Sequence, residues 1–362
     1  MRIGMVIYGR LDTLTGGYLY DRFLAEALRR RGHGVDVISL EGKPYARALL
    51  DNLSPQLEAR LTGRPWDLLL QDELCHPSLF LLNRRIRARR RTTIVGIVHQ
   101  VLCRQPRRRV LNLAYSWGER NYLQAMDGLL FASRFNRDMT RHLIRRDVPM
   151  HVALPGGDRL GRIPSGQLIV ERSQAAGPLE LLFVGNLSPV KGLHPLLKGV
   201  SPLPPHLWRL TVAGSLSADR RHVRRIMGWV ARRGLGPQVK FLGVVDGEDL
   251  RRVYTADQVF VMPFAHEGFG IAALEAMAFG LPVIGSSAGG VGEFVRHGVN
   301  GFLVAACDHS AVRRHLELLY QDRGRLAEMG QAALQTFSGY PTWEESMGGA
   351  CEFLEKLVTR QG

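Results

Sequence analysis

Apolar residues fall along this chain mainly in short continuous runs, with longer amphipathic stretches between them. In the first half the runs are "RIGMVIYG", "HGVDVISL", "DLLLQDE", "TTIVGIVHQ", "DGLLFAS" and "HVALPGG". The second half carries "LELLFVGNL", "WRLTVAGS", "VKFLGVV", "QVFVMPF" and "LPVIGSS". Runs rich in Val, Ile and Leu that do not alternate with polar residues fit strands covered on both faces, hence parallel sheets between helices. The intervening stretches have helical spacing, as in Tyr20, Phe23, Leu24, Ala27 and Leu28.

Two such series predict two doubly wound α/β domains. The polar, small-residue stretch "ERSQAAGPLE" divides them, so the expected domains are 1–173 and 174–340. The segment 341–362 after Pro341 predicts a C-terminal helix packing back on the N-terminal domain. Ligands of open parallel sheets sit beyond the carboxyl ends of the strands. Two domains facing each other would put those ends on both walls of a cleft.

Composition narrows the class. At 362 residues, 45% hydrophobic and 22% charged, the chain is globular and long enough for two cores. Cys75, Cys103, Cys307 and Cys351 are scattered without metal-ligand spacing, which fits reduced thiols in a cytoplasmic protein. "MRIGMVIYG" is too short for a signal h-region, and no stretch reaches the roughly 18 apolar residues of a membrane span. The net charge of +15 is uneven: residues 1–172 hold 29 Lys and Arg against 16 Asp and Glu, and the remainder 19 against 17. The first half is therefore the one built to meet an anionic partner.

Three stretches carry candidate chemistry. Gly16 and Gly17 follow the first strand and open a helix, where paired glycines can admit a phosphate to the helix N-terminus. "LLFVGNLSPVKG" sets Lys191 in a glycine-flanked loop after a strand, where an ammonium can neutralise phosphate oxygens. "HEGFGIAALEAM" puts Glu267 before Gly268, Phe269 and Gly270, then starts a helix that carries Glu275. Glycines there bring the backbone close to a ligand, and free N–H groups with the helix dipole favour an anion. No Gly-x-x-x-x-Gly-Lys-Ser/Thr loop, no dinucleotide Gly-x-Gly-x-x-Gly after the first strand and no Asp-x-Asp pair occurs.

In order, the glycine pair, the "KG" loop, Glu267 with Glu275, "AGGVGEF" (288–294) and "NGFLV" (300–304) resemble the retaining family-4 glycosyltransferases of the GT-B fold, with their Glu-x7-Glu element. The resemblance implies a nucleotide-sugar donor, UDP- or GDP-linked, and no cofactor. Its diphosphate would lie against Lys191 and the N–H groups near Gly268, Phe269 and Gly270, with Gly16 and Gly17 also at the donor. Glu275 would accept from the ribose hydroxyls and Glu267 would sit beside the sugar. Val244 or Val245 falls where the family meets the base. His99, at the end of "IVGIVHQ", matches the family's histidine against the transferred sugar. Asn186 stands where the family has a basic residue gripping the diphosphate, and an amide does not neutralise a phosphate.

The basic first half adds a surface. "CRQPRRRVLNLAYSWGERNYLQ" combines Arg107, Arg108 and Arg109 with Leu111, Leu113, Tyr115 and Trp117, the composition of a segment that lies on an anionic bilayer. Nucleic acid fits poorly, since no recognition module is present. The reading is a cytoplasmic, metal-independent, retaining glycosyltransferase whose acceptor is lipid-linked or at a membrane surface. Its alternatives are a sugar-phosphate synthase or phosphorylase acting on a small soluble acceptor, and a non-catalytic sugar-nucleotide or membrane-binding protein.

Overall fold

The structure, a computed structural model, describes residues 1–89, 92–105, 109–161 and 164–360. Twelve strands alternate with helices among them. In the first half they are β1 (Arg2–Tyr8), β2 (Gly34–Leu40), β3 (Leu68–Asp72), β4 (Thr93–Val98), β5 (Gly128–Phe131) and β6 (Met150–Val152). The second half has β7 (Leu179–Val184), β8 (Trp208–Ala213), β9 (Val239–Gly243), β10 (Val259–Met262), β11 (Val283–Ser286) and β12 (Gly301–Val304). Every pairing between them is parallel.

The strands form two six-stranded sheets, in the orders β2-β1-β3-β4-β5-β6 and β12-β11-β10-β7-β8-β9. Burial follows the apolar runs. Every residue of β3, β4, β5, β10 and β11 is buried, whereas the edge strand β2 alternates and β9 is largely half-exposed. Each order reverses direction once. In the first sheet the chain leaves β1 for β2 and returns to β3 on the other side. In the second it leaves β7 for β8 and β9 and returns at β10. The gaps β1/β3 and β7/β10 are topological switch points, where crossovers diverge and leave the strand ends uncovered.

The chain divides into two compact units, Met1–Pro155 with Pro341–Gly362, and Gly156–Tyr340. The division falls upstream of the expected 173/174. Residues 166–174, whose last four lie in the stretch "ERSQAAGPLE" read as a linker, form a helix capped by Ser165, whose side chain accepts from Leu168 N–H. Ile169 of that helix is buried in the second unit: a Cβ on Gly280 would lie 2.3 Å from its Cδ1.

The C-terminal helix, Trp343–Thr359, starts in a Thr342/Glu345 capping box and belongs to the first unit. Trp343 stacks on Phe23 with ring centroids 4.2 Å apart, and Arg31 makes a bidentate pair with Glu355 at 2.9 and 2.8 Å.

Candidate functional site

The second unit gathers its chemistry at the β7/β10 switch point. The loop after β7 carries Lys191 and then Gly192, whose φ of +85° and absent side chain let the turn press on the next loop. A Cβ on Gly192 would come 2.3 Å from the carbonyl of Pro263, and Ala265 N–H donates to the Val190 carbonyl at 2.8 Å. That contact sets Lys191 against the loop after β10, where its ammonium pairs with the Glu267 carboxylate.

Behind Glu267 the backbone turns through Gly270 at φ +98° and enters the helix Ile271–Ala278, which no side chain caps. The "AGGVG" segment braces this turn. Gly289 bridges to Glu267, and Gly290 N–H donates to the Glu267 carbonyl at 3.2 Å. A Cβ on Gly289 would lie 2.2 Å from that carbonyl, and one on Gly290 2.4 Å from the carbonyl of Gly268. An uncapped helix N-terminus with a lysine beside it is a seat for an anion.

Glu275 lies five positions past Gly270, about 7.5 Å along the helix axis, and is 2% exposed. Tyr254 Oη donates to its Oε2 at 3.1 Å. Arg159, which the sequence reading did not single out, donates from Nε to Oε1 at 2.5 Å and from Nη2 to Oε2 at 3.4 Å; its Nη1 donates to Asp246 Oδ1 at 2.5 Å. Burial raises the Glu275 carboxyl above its usual range, and Arg159 opposes the shift. Burial lowers the Arg159 guanidinium, but Glu275 and Asp246 outweigh it and hold it above its ordinary value. Asp246 directly follows Val244 and Val245, so the arginine ties the loop after β9 to the helix carrying Glu275. Val244 is exposed and Val245 half-buried. Asn186 Oδ1 accepts from Ser215 N–H at 3.3 Å, tying the loops after β7 and β8.

In the first unit a second cluster occupies the carboxyl edge beside the β1/β3 switch point. Asp21, Asp72 and His99 converge, and His99 Nε2 lies 2.9 Å from Asp21 Oδ1, with Asp21 fully buried. Asn136 Nδ2 donates to the His99 carbonyl at 2.7 Å and fixes the backbone there. Burial alone would lower the imidazole; Asp21 foremost, then Asp72 and Glu73, carry it up to about 9.

Gly16 opens the helix Gly16–Arg30, which Thr15 caps, and the expected phosphate seat at Gly17 has an imidazole for a neighbour: a Cβ there would lie 3.3 Å from His99 Cδ2. Asp21, Asn136, Tyr254, Asp246 and Arg159 went unread because each meets its partner only through the fold.

Next to that cluster Glu73, His76 and Glu119 are all buried. Glu119 accepts from the N–H groups of Leu102 and Cys103 at 2.6 and 3.0 Å, and Glu73 Oε1 lies 3.0 Å from His76 Nδ1. Burial foremost pushes both carboxyls up to about 8.

On the surface of the first unit, Trp117 stands 59% and Leu113 70% exposed on the helix Arg109–Leu123. They line a shallow hollow with Arg120 and Arg145. Arg107 and Arg108 lie outside the described residues, and of Arg109 only its place at the start of the helix is described.

Residues 169–336 match the family model described as glycosyl transferases group 1. A D-inositol 3-phosphate glycosyltransferase of Actinosynnema mirum is 31% identical over 211 residues, 56% of this chain and 49% of that protein. An uncharacterized glycosyltransferase of Methanocaldococcus jannaschii is 37% identical over 145 residues, 40% of this chain and 36% of the other. The chain spans about half the length, or less, of the curated relatives it matches.

Among solved structures, a sucrose-phosphate synthase from Thermosynechococcus elongatus superposes with a TM-score of 0.82 at 21% identity over 99% of both chains. Anabaena HepE in complex with UDP-glucose superposes with a TM-score of 0.79 at 20% identity, over 98% of this chain and all of the other. At such identities the likeness bears on the fold, and the fold is GT-B: two α/β units, each with a six-stranded parallel sheet.

Proposed function

We propose that this chain is a retaining glycosyltransferase that moves a sugar from a nucleoside-diphosphate donor to an acceptor hydroxyl without a metal. The observation that carries the reading is the Lys191–Glu267 pair beside the uncapped helix N-terminus at the β7/β10 switch point. A diphosphate takes the ammonium and the helix N–H groups, and Glu275, one helical segment deeper, accepts from the ribose hydroxyls. Val244 or Val245 meets the base. Glu267, relieved of Lys191, faces positive charge developing on the anomeric carbon.

The bond from that carbon to the diphosphate breaks, the acceptor oxygen bonds to the same face, and its proton passes to the departing diphosphate oxygen. The glutamates are therefore no glycosidase acid–base pair. His99, held by Asp21 and Asn136, is the catalytic histidine of the first unit. Support for the donor class comes from HepE, solved with UDP-glucose.

Glu267→Gln tests the reading. A catalyst loses transfer by about 10²–10³-fold, the scale of one lost electrostatic stabiliser, while UDP or GDP binding persists. Transfer absent from the wild type with every donor, beside intact nucleotide binding, would point to the non-catalytic alternative.

A second feature favours an acceptor at a membrane surface. Leu50 and Leu53 are exposed on the short helix Leu49–Leu53, Leu81 on the helix His76–Arg89, and Leu113 and Trp117 on Arg109–Leu123. These elements adjoin: Asn52 Oδ1 accepts from Leu81 N–H, Trp117 packs edge-on against Phe80, and Arg84 donates to Asn121. Exposed apolar side chains interleaved with Arg84, Arg120 and Arg145 suit an anionic bilayer, which takes the first into its interface and the second at its headgroups.

A further inference from the structure

A carboxylate has about four lone-pair positions. On Glu275 Arg159 takes two and Tyr254 a third. One is left, whereas a ribose offering two neighbouring hydroxyls needs two. A ribose can therefore engage Glu275 in this way only if the guanidinium gives ground.

Moving it without compensation is costly, because the pair is largely buried and a separated charge there has no solvent to replace its partner. Asp246 holds only Nη1. The donor brings the compensation with it: a diphosphate presents oxygens that match the planar fork of an arginine. Lys191 shows the same arrangement at the other glutamate, its ammonium resting on Glu267. Position 186, where a basic residue would add charge, holds an amide turned to Ser215 N–H.

We propose that Arg159 is a donor-binding residue: it trades Glu275 for the diphosphate when the nucleotide enters, and so supplies the second positive charge that Asn186 lacks. The helix geometry allows the exchange, since the phosphate seat at Gly270 lies about 7.5 Å along the axis from Glu275, within the swing of a flexible arginine stem. In the structure each glutamate of the pair is neutralised by its own cation. Binding swaps partners at both, so the carboxylates become free for sugar and ribose in the same event that neutralises the phosphates. The inference rests on reading the second unit as the donor site.

Calorimetric titration of the full chain with UDP and with uridine tests it, using the wild type, Arg159→Gln and Arg159→Lys, each checked for a cooperative melt. In Arg159→Gln, UDP affinity is expected to fall about tenfold or more, with uridine affinity unchanged or raised because its competitor at Glu275 is gone. Arg159→Lys keeps the charge and should retain most of the UDP affinity. Equal losses for UDP and uridine would make Arg159 a mere support for Glu275 and overturn the proposal. Unchanged UDP affinity in Arg159→Gln would overturn it too. If the wild type binds none of UDP, GDP or ADP, it is the donor-site reading that has failed, and the exchange falls with it.

Discussion

His99 Nε2 and Asp21 Oδ1 lie 2.9 Å apart in the first unit, the carboxylate fully buried and the imidazole nearly so. The residues come from the helix Gly16–Arg30 and from the end of β4, and Gly17 leaves room for the ring between them. A buried ion pair of this kind has a pH signature. The imidazole is held at about 9, above its ordinary 6.5, since burial, which lowers it, is outweighed by Asp21 together with Asp72 and Glu73. The folded state thus binds a proton that the unfolded chain releases.

That contribution is complete below pH 6.5 and disappears as pH rises toward 9, a loss on the order of 3 kcal/mol by linkage. Thermal melts across this window should show a falling melting temperature in the wild type. In Asp21→Asn the slope over the same range should flatten, from a lower starting stability. A slope identical in both proteins would show that His99 is not the group responsible.

Gly289 sits at an extended φ of 176°, which any residue can adopt, so its backbone angles do not call for glycine. The reason is space, because a Cβ would meet the Glu267 carbonyl at 2.2 Å. Gly289→Ala must push the brace off the Glu267–Gly270 turn. The expected cost is about 1–3 kcal/mol of stability, the usual scale of overpacking. Glycosyl transfer should fall more steeply than stability at temperatures where the variant is still folded. Full transfer with only a lower melting temperature would mean that the turn does not need the brace for function.

Most strands were legible because a strand buried on both faces needs a largely apolar run, and eleven of the twelve fall within the runs read from the sequence, even where a polar residue interrupts them as in β2, β8 and β9. The exception, β12, is four residues starting at a glycine; "NGFLV" reads as a motif and is too short to declare a strand. The unit boundary misled for a related reason. "ERSQAAGPLE" is polar enough for a linker, yet the helix ending within it is anchored by buried Ile169 and by Arg172, whose guanidinium donates to the carbonyls of Tyr254, Thr255, Phe279 and Gly280. At the site, Glu267, Glu275 and Lys191 were legible because glycines punctuate their loops. Arg159 was not: it sits 116 residues from Glu275 and 87 from Asp246 in the chain, and Gly156 and Gly157 before it mark a turn without marking a partner. Asn186 signalled that positive charge was missing without pointing to another source.

Glu73 and Glu119 make a separate alkaline prediction. Burial is the main cause that pushes each carboxyl up to about 8, so the folded protein holds protons that an unfolded chain gives up near pH 4.5. Their contribution is complete below 4.5 and is lost as pH climbs through 8. Glu73→Gln replaces this buried carboxylate, whose Oε1 lies 3.0 Å from His76 Nδ1, by a neutral amide of nearly the same shape. At pH 8 the variant should melt higher than the wild type, and near pH 5 the two should converge. A variant less stable at pH 8 would show that the ionised Glu73 contributes favourably to the fold.

The proposed membrane surface is separable from the proposed chemistry, because Leu113 and Trp117 lie on a helix that supplies no residue of the proposed donor site. Leu113→Ser with Trp117→Ser removes two exposed apolar side chains, so the fold should be little affected. If those side chains enter a bilayer interface, each contributes roughly 1.5–3 kcal/mol when fully buried, and less at partial depth. Sedimentation with phosphatidylglycerol-containing vesicles at moderate salt should then show at least about a tenfold loss of binding in the double variant. Vesicles of phosphatidylcholine alone should bind the wild type weakly, because the arginines find no anionic headgroup. Calorimetric UDP binding should be the same in both proteins. Vesicle binding that survives the substitutions but vanishes with salt would leave only a general attraction of a +15 chain for anions.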